Sequence, residues 1–90
     1  MEDADLMVDG NAVAGVLGEV FVHEMTSARA ACKGCGEVEP IGAEHVYMQA
    51  PGIVLRCRHC EDVLLVITRQ DGSYLLGFGQ LKSLAISAGP

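Results

Sequence analysis

The sequence predicts an α+β fold that is mostly antiparallel sheet, with one amphipathic helix ahead of the sheet. Three observations predict it. Apolar residues recur at helical spacing near the N-terminus, at Val13, Val16, Leu17 and Val20. From Thr26 onward the pattern changes to short apolar runs broken by turn signals. All four cysteines fall into two Cys-x-x-Cys pairs, with a predicted hairpin between them.

Residues 1–8 read as a flexible acidic arm, and residues 9–90 as a single domain whose helix covers about 9–23. Asp9 is the expected N-cap, because its carboxylate can accept a backbone N–H two or three residues on. Phe21 extends the apolar stripe that begins at Val13. Gly15 and Gly18 each lower the intrinsic stability of this helix by about 1 kcal/mol relative to alanine. Such a helix depends on docking. It packs on the sheet of its own chain, or it offers a surface to a protein partner or a second copy.

Thr26 to Ala31 is a predicted strand leading into the first cysteine pair. Glu44 to Gln49 is a second strand. Ala50-Pro51-Gly52 then supplies a tight turn, in which proline fixes φ and glycine admits a positive φ. Ile53 to Arg56 carries the chain to the second pair. Val63 to Arg69 is a continuous apolar run rich in β-branched residues, and it reads as a strand buried on both faces. Asp71-Gly72 is a hairpin signal, and Tyr74, Leu76 and Phe78 belong to the return strand. Gly77 and Gly79 are expected at a bulge or bend. Leu81 to Ile86 adds a last short strand or turn.

Half of the 90 residues are hydrophobic, but only four are aromatic (Phe21, Tyr47, Tyr74 and Phe78), so the core must be aliphatic. A chain of this size has a marginal core, and a staple such as a metal ion is expected. The net charge is −6, and residues 1–24 hold six acids and no lysine or arginine, while the rest of the chain is balanced. That is the reverse of the basic footprint of a nucleic-acid binder. The acidic N-terminus does not resemble a secretory signal. The longest strictly hydrophobic stretch, Val63 to Ile67, is far short of the roughly 18 residues of a membrane span. A soluble cytoplasmic protein is expected, with neither membrane nor nucleic acid as partner. In a reducing compartment, paired cysteines bind metal or do redox chemistry rather than form structural disulfides.

The pairs are Cys32-Lys33-Gly34-Cys35 and Cys57-Arg58-His59-Cys60, and 21 residues separate them. Two residues between cysteines let one tight turn offer both sulfurs to the same ion, and tetrahedral zinc needs four sulfurs at about 2.3 Å. Cys32, Cys35, Cys57 and Cys60 are therefore the predicted ligands of one Zn²⁺. A closed set of four thiolates makes that ion structural rather than catalytic. Iron is the chemical rival, since four thiolates suit both metals, although rubredoxin-like sites are richer in aromatics near the metal. A thioredoxin-like reading would need a βαβ context after a single motif, whereas this motif is doubled and its context is β-rich. Gly34 and Gly36 ease the first knuckle, and the second has no glycine. Lys33, Arg56 and Arg58, with Arg29 near them, offset the charge of a doubly negative centre or form a small phosphate patch. His59 is expected to point to solvent, and His23 and His45 read as ordinary residues. No Ser/His/Asp set, phosphate loop or carboxylate pair stands out, so no enzyme is expected.

The stretches DGNAVAGVLGEVF (9–21), EMTSARAACKGCG (24–36) and VYMQAPGIVLRCRHC (46–60) resemble a family of small actinobacterial zinc-ribbon proteins classed as a domain of unknown function. The resemblance implies a zinc ribbon behind an N-terminal helix, and it brings no activity. The expected role is a protein-interaction or scaffold module. A transcription-associated nucleic-acid ribbon is the alternative, and a redox or zinc-handling protein a further one.

Overall fold

Short apolar strands and tight turns fold this chain into two antiparallel sheets. The computed structural model describes residues 7–21, 25–49 and 52–87. Strands β4 (His45–Gln49), β5 (Gly52–Arg56), β6 (Val63–Gln70) and β7 (Ser73–Phe78) form a meander, and β1 (Met7–Asp9) pairs along the free edge of β4. The second sheet has the order β3-β2-β8, from β2 (Arg29–Cys32), β3 (Val38–Pro40) and β8 (Leu81–Ala85). One helix, α1 (Ala14–Phe21), and two 3-10 turns (Gly10–Val13 and Ile41–Ala43) complete the described elements. The fold is thus mostly antiparallel sheet with one short helix near the N-terminus, and it is zinc-ribbon-like in the way two strand ends bring the cysteine pairs together. Among the described residues no helix is long and apolar enough to cross a membrane.

The register builds the core. Val8 pairs with Val46, Val46 with Leu55, Leu55 with Leu65, and Ile67 with Leu76. Because side chains alternate across a strand, these residues share one face of the larger sheet. Leu17 of α1 and Val13 of the turn before it are buried in the same cluster, with Val16, Val20 and Phe21 partly buried against it. The apolar stripe of the helix is therefore spent on its own sheet. Tyr74 Oη on β7 donates to the Glu19 carboxylate of α1, which ties the helix to the sheet edge.

Several expectations change. Helical periodicity predicts a helix from about residue 9, but Met7–Asp9 are extended and pair with Tyr47, Val46 and His45. Asp9 makes no side-chain capping bond. The sheet holds this backbone instead, since Gly10 N–H donates to Glu44 O at 3.1 Å. A 3-10 turn then drops the chain onto the sheet face, and α-helix begins only at Ala14. Of the expected arm, residues 1–6 lie outside the described set; so do residues 22–24, at the end of the expected helix, and Ala50-Pro51 of the predicted turn. The strand expected over Thr26 to Ala31 is β2, shifted toward the cysteine, because Thr26 and Ser27 form a turn closed by Ala28 N–H on Met25 O at 3.0 Å. Strand β6 is buried on both faces only at its start, where Leu64 and Leu65 are each 1% exposed; farther along Ile67 stays covered, while on the reverse face Val66 and Thr68 are half-buried and Leu75, paired with Thr68, is 58% exposed. One eight-residue helix covers one face of the sheet. Gly77 pairs in register with Val66 and makes no bulge, whereas Gly79 does lie in a bend. The actual irregularities fall at Ala31/Cys32 and Leu55/Arg56, just where each strand enters its knuckle.

Candidate metal centre

The two cysteine pairs are built as copies of one turn. In the first, Cys32 O accepts from Gly36 N–H at 2.9 Å, and Cys32 N–H donates to Glu37 O at 3.0 Å. In the second, Cys57 O accepts from Glu61 N–H at 2.8 Å, and Cys57 N–H donates to Asp62 O at 2.9 Å. The residue after the second cysteine turns left-handed in both, with φ of 81° at Gly36 and 66° at Glu61. Glycine adopts that conformation freely, and glutamate does not.

The four sulfurs lie within 4.8 Å of one another. The cross-knuckle separations are 3.7 Å for Cys32–Cys60 and 3.5 Å for Cys35–Cys57. A tetrahedral ion with metal–sulfur bonds of about 2.3 Å sets its sulfurs about 3.8 Å apart, so the set fits a metal ion. Cys32 and Cys57 are buried, at 2% and 1% exposure, while Cys35 and Cys60 are exposed. Each knuckle thus contributes one sulfur from the core and one from the surface.

The thiols of the cluster differ in their ease of ionisation. Burial pushes the Cys57 thiol up. At Cys60 the largest influence, the Asp62 N–H, pulls down, but burial and the three other sulfurs outweigh it and carry the thiol up to about 12. Cys32 ends below the ordinary value: burial pushes it up, and the N–H groups of Cys35 and Gly34 with the neighbouring thiols overcome that push. A cation beside the sulfurs would favour their thiolate forms.

Among the flanking residues, Arg56 and His45 behave differently from their sequence reading. Arg56 donates to Glu61 O at 2.8 Å and stacks on the Tyr47 ring, so it clips the second knuckle's backbone rather than facing the sulfurs. Lys33 N–H reaches Gln80 O at 2.8 Å, which ties the first knuckle to the start of β8. Arg29 is exposed on β2. His59 does lie at the surface, but its Nε2 is 2.7 Å from a Glu39 carboxylate oxygen. His45 is not isolated, since its Nδ1 meets the Glu61 carboxylate, which also accepts from Tyr47 Oη at 3.0 Å. His23 lies outside the described residues. The supports that the sequence reading missed are Glu44 and Glu61. Aligning Cys-x-x-Cys-Gly-Glu with Cys-x-x-Cys-Glu-Asp places Glu61 where the first knuckle has Gly36, and that signal was in the chain.

Glu61 can hold a left-handed backbone because its surroundings over-determine it. Removing the side chain therefore separates two effects. Glu61→Ala loses the His45 and Tyr47 contacts and keeps the backbone strain, while Glu61→Gly loses the same contacts and relieves the strain. The glycine variant should be the more stable of the two by about 1 kcal/mol in urea denaturation of the metal-loaded protein. Equal stabilities would place the strain elsewhere.

Glu44 is 2% exposed, and its carboxylate accepts from Arg58 N–H at 3.0 Å, which braces the second knuckle from below. Burial pushes its carboxyl above the usual range, against the smaller pull of that N–H. A raised folded pKa means that the folded state favours the protonated form. The resulting penalty is absent below the unfolded pKa, sets in as pH rises through the folded pKa, and is full above it. Glu44→Gln keeps the acceptor and buries no charge. Its stability relative to the parent should rise as pH increases above the ordinary carboxylate range, read from urea midpoints at each pH. A difference that stays flat counts against a charged, buried Glu44.

A family model described as a family of unknown function, DUF6510, matches residues 2–89. No curated protein and no solved structure matches the chain.

Proposed function

The chain belongs to the DUF6510 family, and from that premise we propose that it is a zinc-binding module in which one structural Zn²⁺ fixes the two knuckles of a ribbon. The observation that carries this reading is the cluster of Cys32, Cys35, Cys57 and Cys60 at tetrahedral separations. Four protein ligands leave no position for a substrate, which supports a structural rather than a catalytic ion. Thiols that must stay reduced suit the cytoplasm. Native mass spectrometry of the protein from its own host tests the reading: one zinc per chain is expected, and iron or a metal-free folded chain overturns it.

An interaction role accompanies the metal. It is supported by Leu75 and Phe78, 58% and 66% exposed on β7, which ends the larger sheet among the described residues; strand alternation sets the two on opposite faces of that edge. Pull-down with the zinc-loaded chain should recover a reproducible partner or a second copy. A clean monomer with no partner sinks this part. A zinc-handling role has one observation of its own, the exposure of Cys35 and Cys60. Zinc release by mild peroxide, reversed by thiol, supports it, and an inert site removes it.

A further inference from the structure

We propose that Glu37, Glu39 and His59 form a second divalent-cation site, built from carboxylate and imidazole ligands, beside the four-sulfur centre. One ligand atom from each residue lies within 4.8 Å of the other two. His59 Nε2 is already 2.7 Å from Glu39 Oε2. Glu37 precedes β3 and Glu39 lies within it, on either side of Val38. His59 approaches from the other knuckle, between Cys57 and Cys60. Among the described residues the ion pairs within 4.0 Å are the two between histidine and glutamate; Arg58 and Arg29 act on Glu39 only from farther off.

The donor chemistry separates this site from the first. Thiolates take a soft or borderline ion, while two carboxylates and one imidazole take a borderline first-row divalent ion such as Zn²⁺, Co²⁺ or Ni²⁺. Three protein ligands leave coordination positions open. Glu37 and His59 are exposed and Glu39 is half-buried, so an ion can reach the site and leave it. The site is also coupled to the first. Glu37 O is held by Cys32 N–H, and His59 N–H approaches Cys57 Sγ at 3.4 Å. The three ligands therefore converge only when both knuckles are formed, and the four-sulfur centre should fill first.

Titration of the zinc-loaded chain with Co²⁺ tests this by calorimetry and by the visible spectrum. One further equivalent should bind, with weak ligand-field bands and no sulfur-to-cobalt charge transfer. Glu39→Gln and His59→Ala should each weaken that equivalent by more than the roughly tenfold typical of losing an outer contact. Both variants should retain the tightly held zinc, which shows that they fold. No second equivalent, unchanged affinity in both variants, or equal competition by Mg²⁺ overturns the proposal, the last because a plain acidic patch would behave that way. Sulfur-to-cobalt bands in a metal-free chain report separately on the first centre, so the failure of one site is not mistaken for failure of the other.

Discussion

Stripping the metal from Cys32, Cys35, Cys57 and Cys60 should abolish the cooperative thermal transition of this protein, and adding Zn²⁺ back should restore it. Structural zinc in small domains binds with roughly 10–16 kcal/mol at neutral pH. The whole stability of a typical domain is only about 5–15 kcal/mol. The centre is also part of the core, because Cys32 and Cys57 are buried among the residues that hold the two sheets together. Single substitutions should grade this effect. Cys32→Ser removes a ligand and leaves a hydroxyl in apolar surroundings, so the chain should fail to fold at ambient temperature even with excess zinc. Cys60→Ser removes a ligand at the exposed side, where water can take the fourth place, so a loaded protein with a lower Tm should survive. Circular dichroism melts with and without chelator read both. A metal-free chain that melts as the loaded one does would refute a structural role for the ion.

The parts of this centre that were legible in the sequence are those written in local spacing. Two residues between cysteines and the Asp71-Gly72 turn are short-range signals, and the structure bears them out in the sulfur cluster and in the β6–β7 hairpin. What was not legible is held by distant partners. Strands β1 and β3 have three residues each, too few for any periodic pattern. They exist because Met7–Asp9 find the edge of β4, and because Val38–Pro40 find β2. Leu81 to Ala85 reads as a strand locally, but nothing local says that its partner is β2, some fifty residues earlier. Glu44 is a charged residue that hydropathy assigns to the surface, and it is buried because one backbone N–H of the second knuckle needs an acceptor. The knuckles were readable as a motif, and their braces were not.

Gly10→Ala should cost about 3 kcal/mol, the upper part of the usual range for overpacking, and lower Tm by roughly 15 °C. A Cβ at Gly10 would stand 1.9 Å from Ile41 O and 2.7 Å from Ile41 C, and these are backbone atoms that cannot swing aside. This is the seam where the two 3-10 turns meet, next to the Gly10–Glu44 hydrogen bond. Glu44 in turn holds Arg58 N–H, so disturbance of the seam should reach the second knuckle and weaken metal retention against a chelator. Gly15→Ala is the matched control. A Cβ there meets nothing within 4 Å, and the position lies in α1. It should gain about 0.5–1 kcal/mol from helix propensity. The two substitutions thus share their chemistry and differ in sign. Sequence periodicity alone puts both glycines in one helix and predicts a gain from each. If urea denaturation shows both variants stabilised alike, the helix starts at residue 9 or 10 and the seam is wrong. Opposite signs mean that the N-terminal segment is a strand and a turn locked to the sheet, with the helix beginning only after it has crossed Ile41.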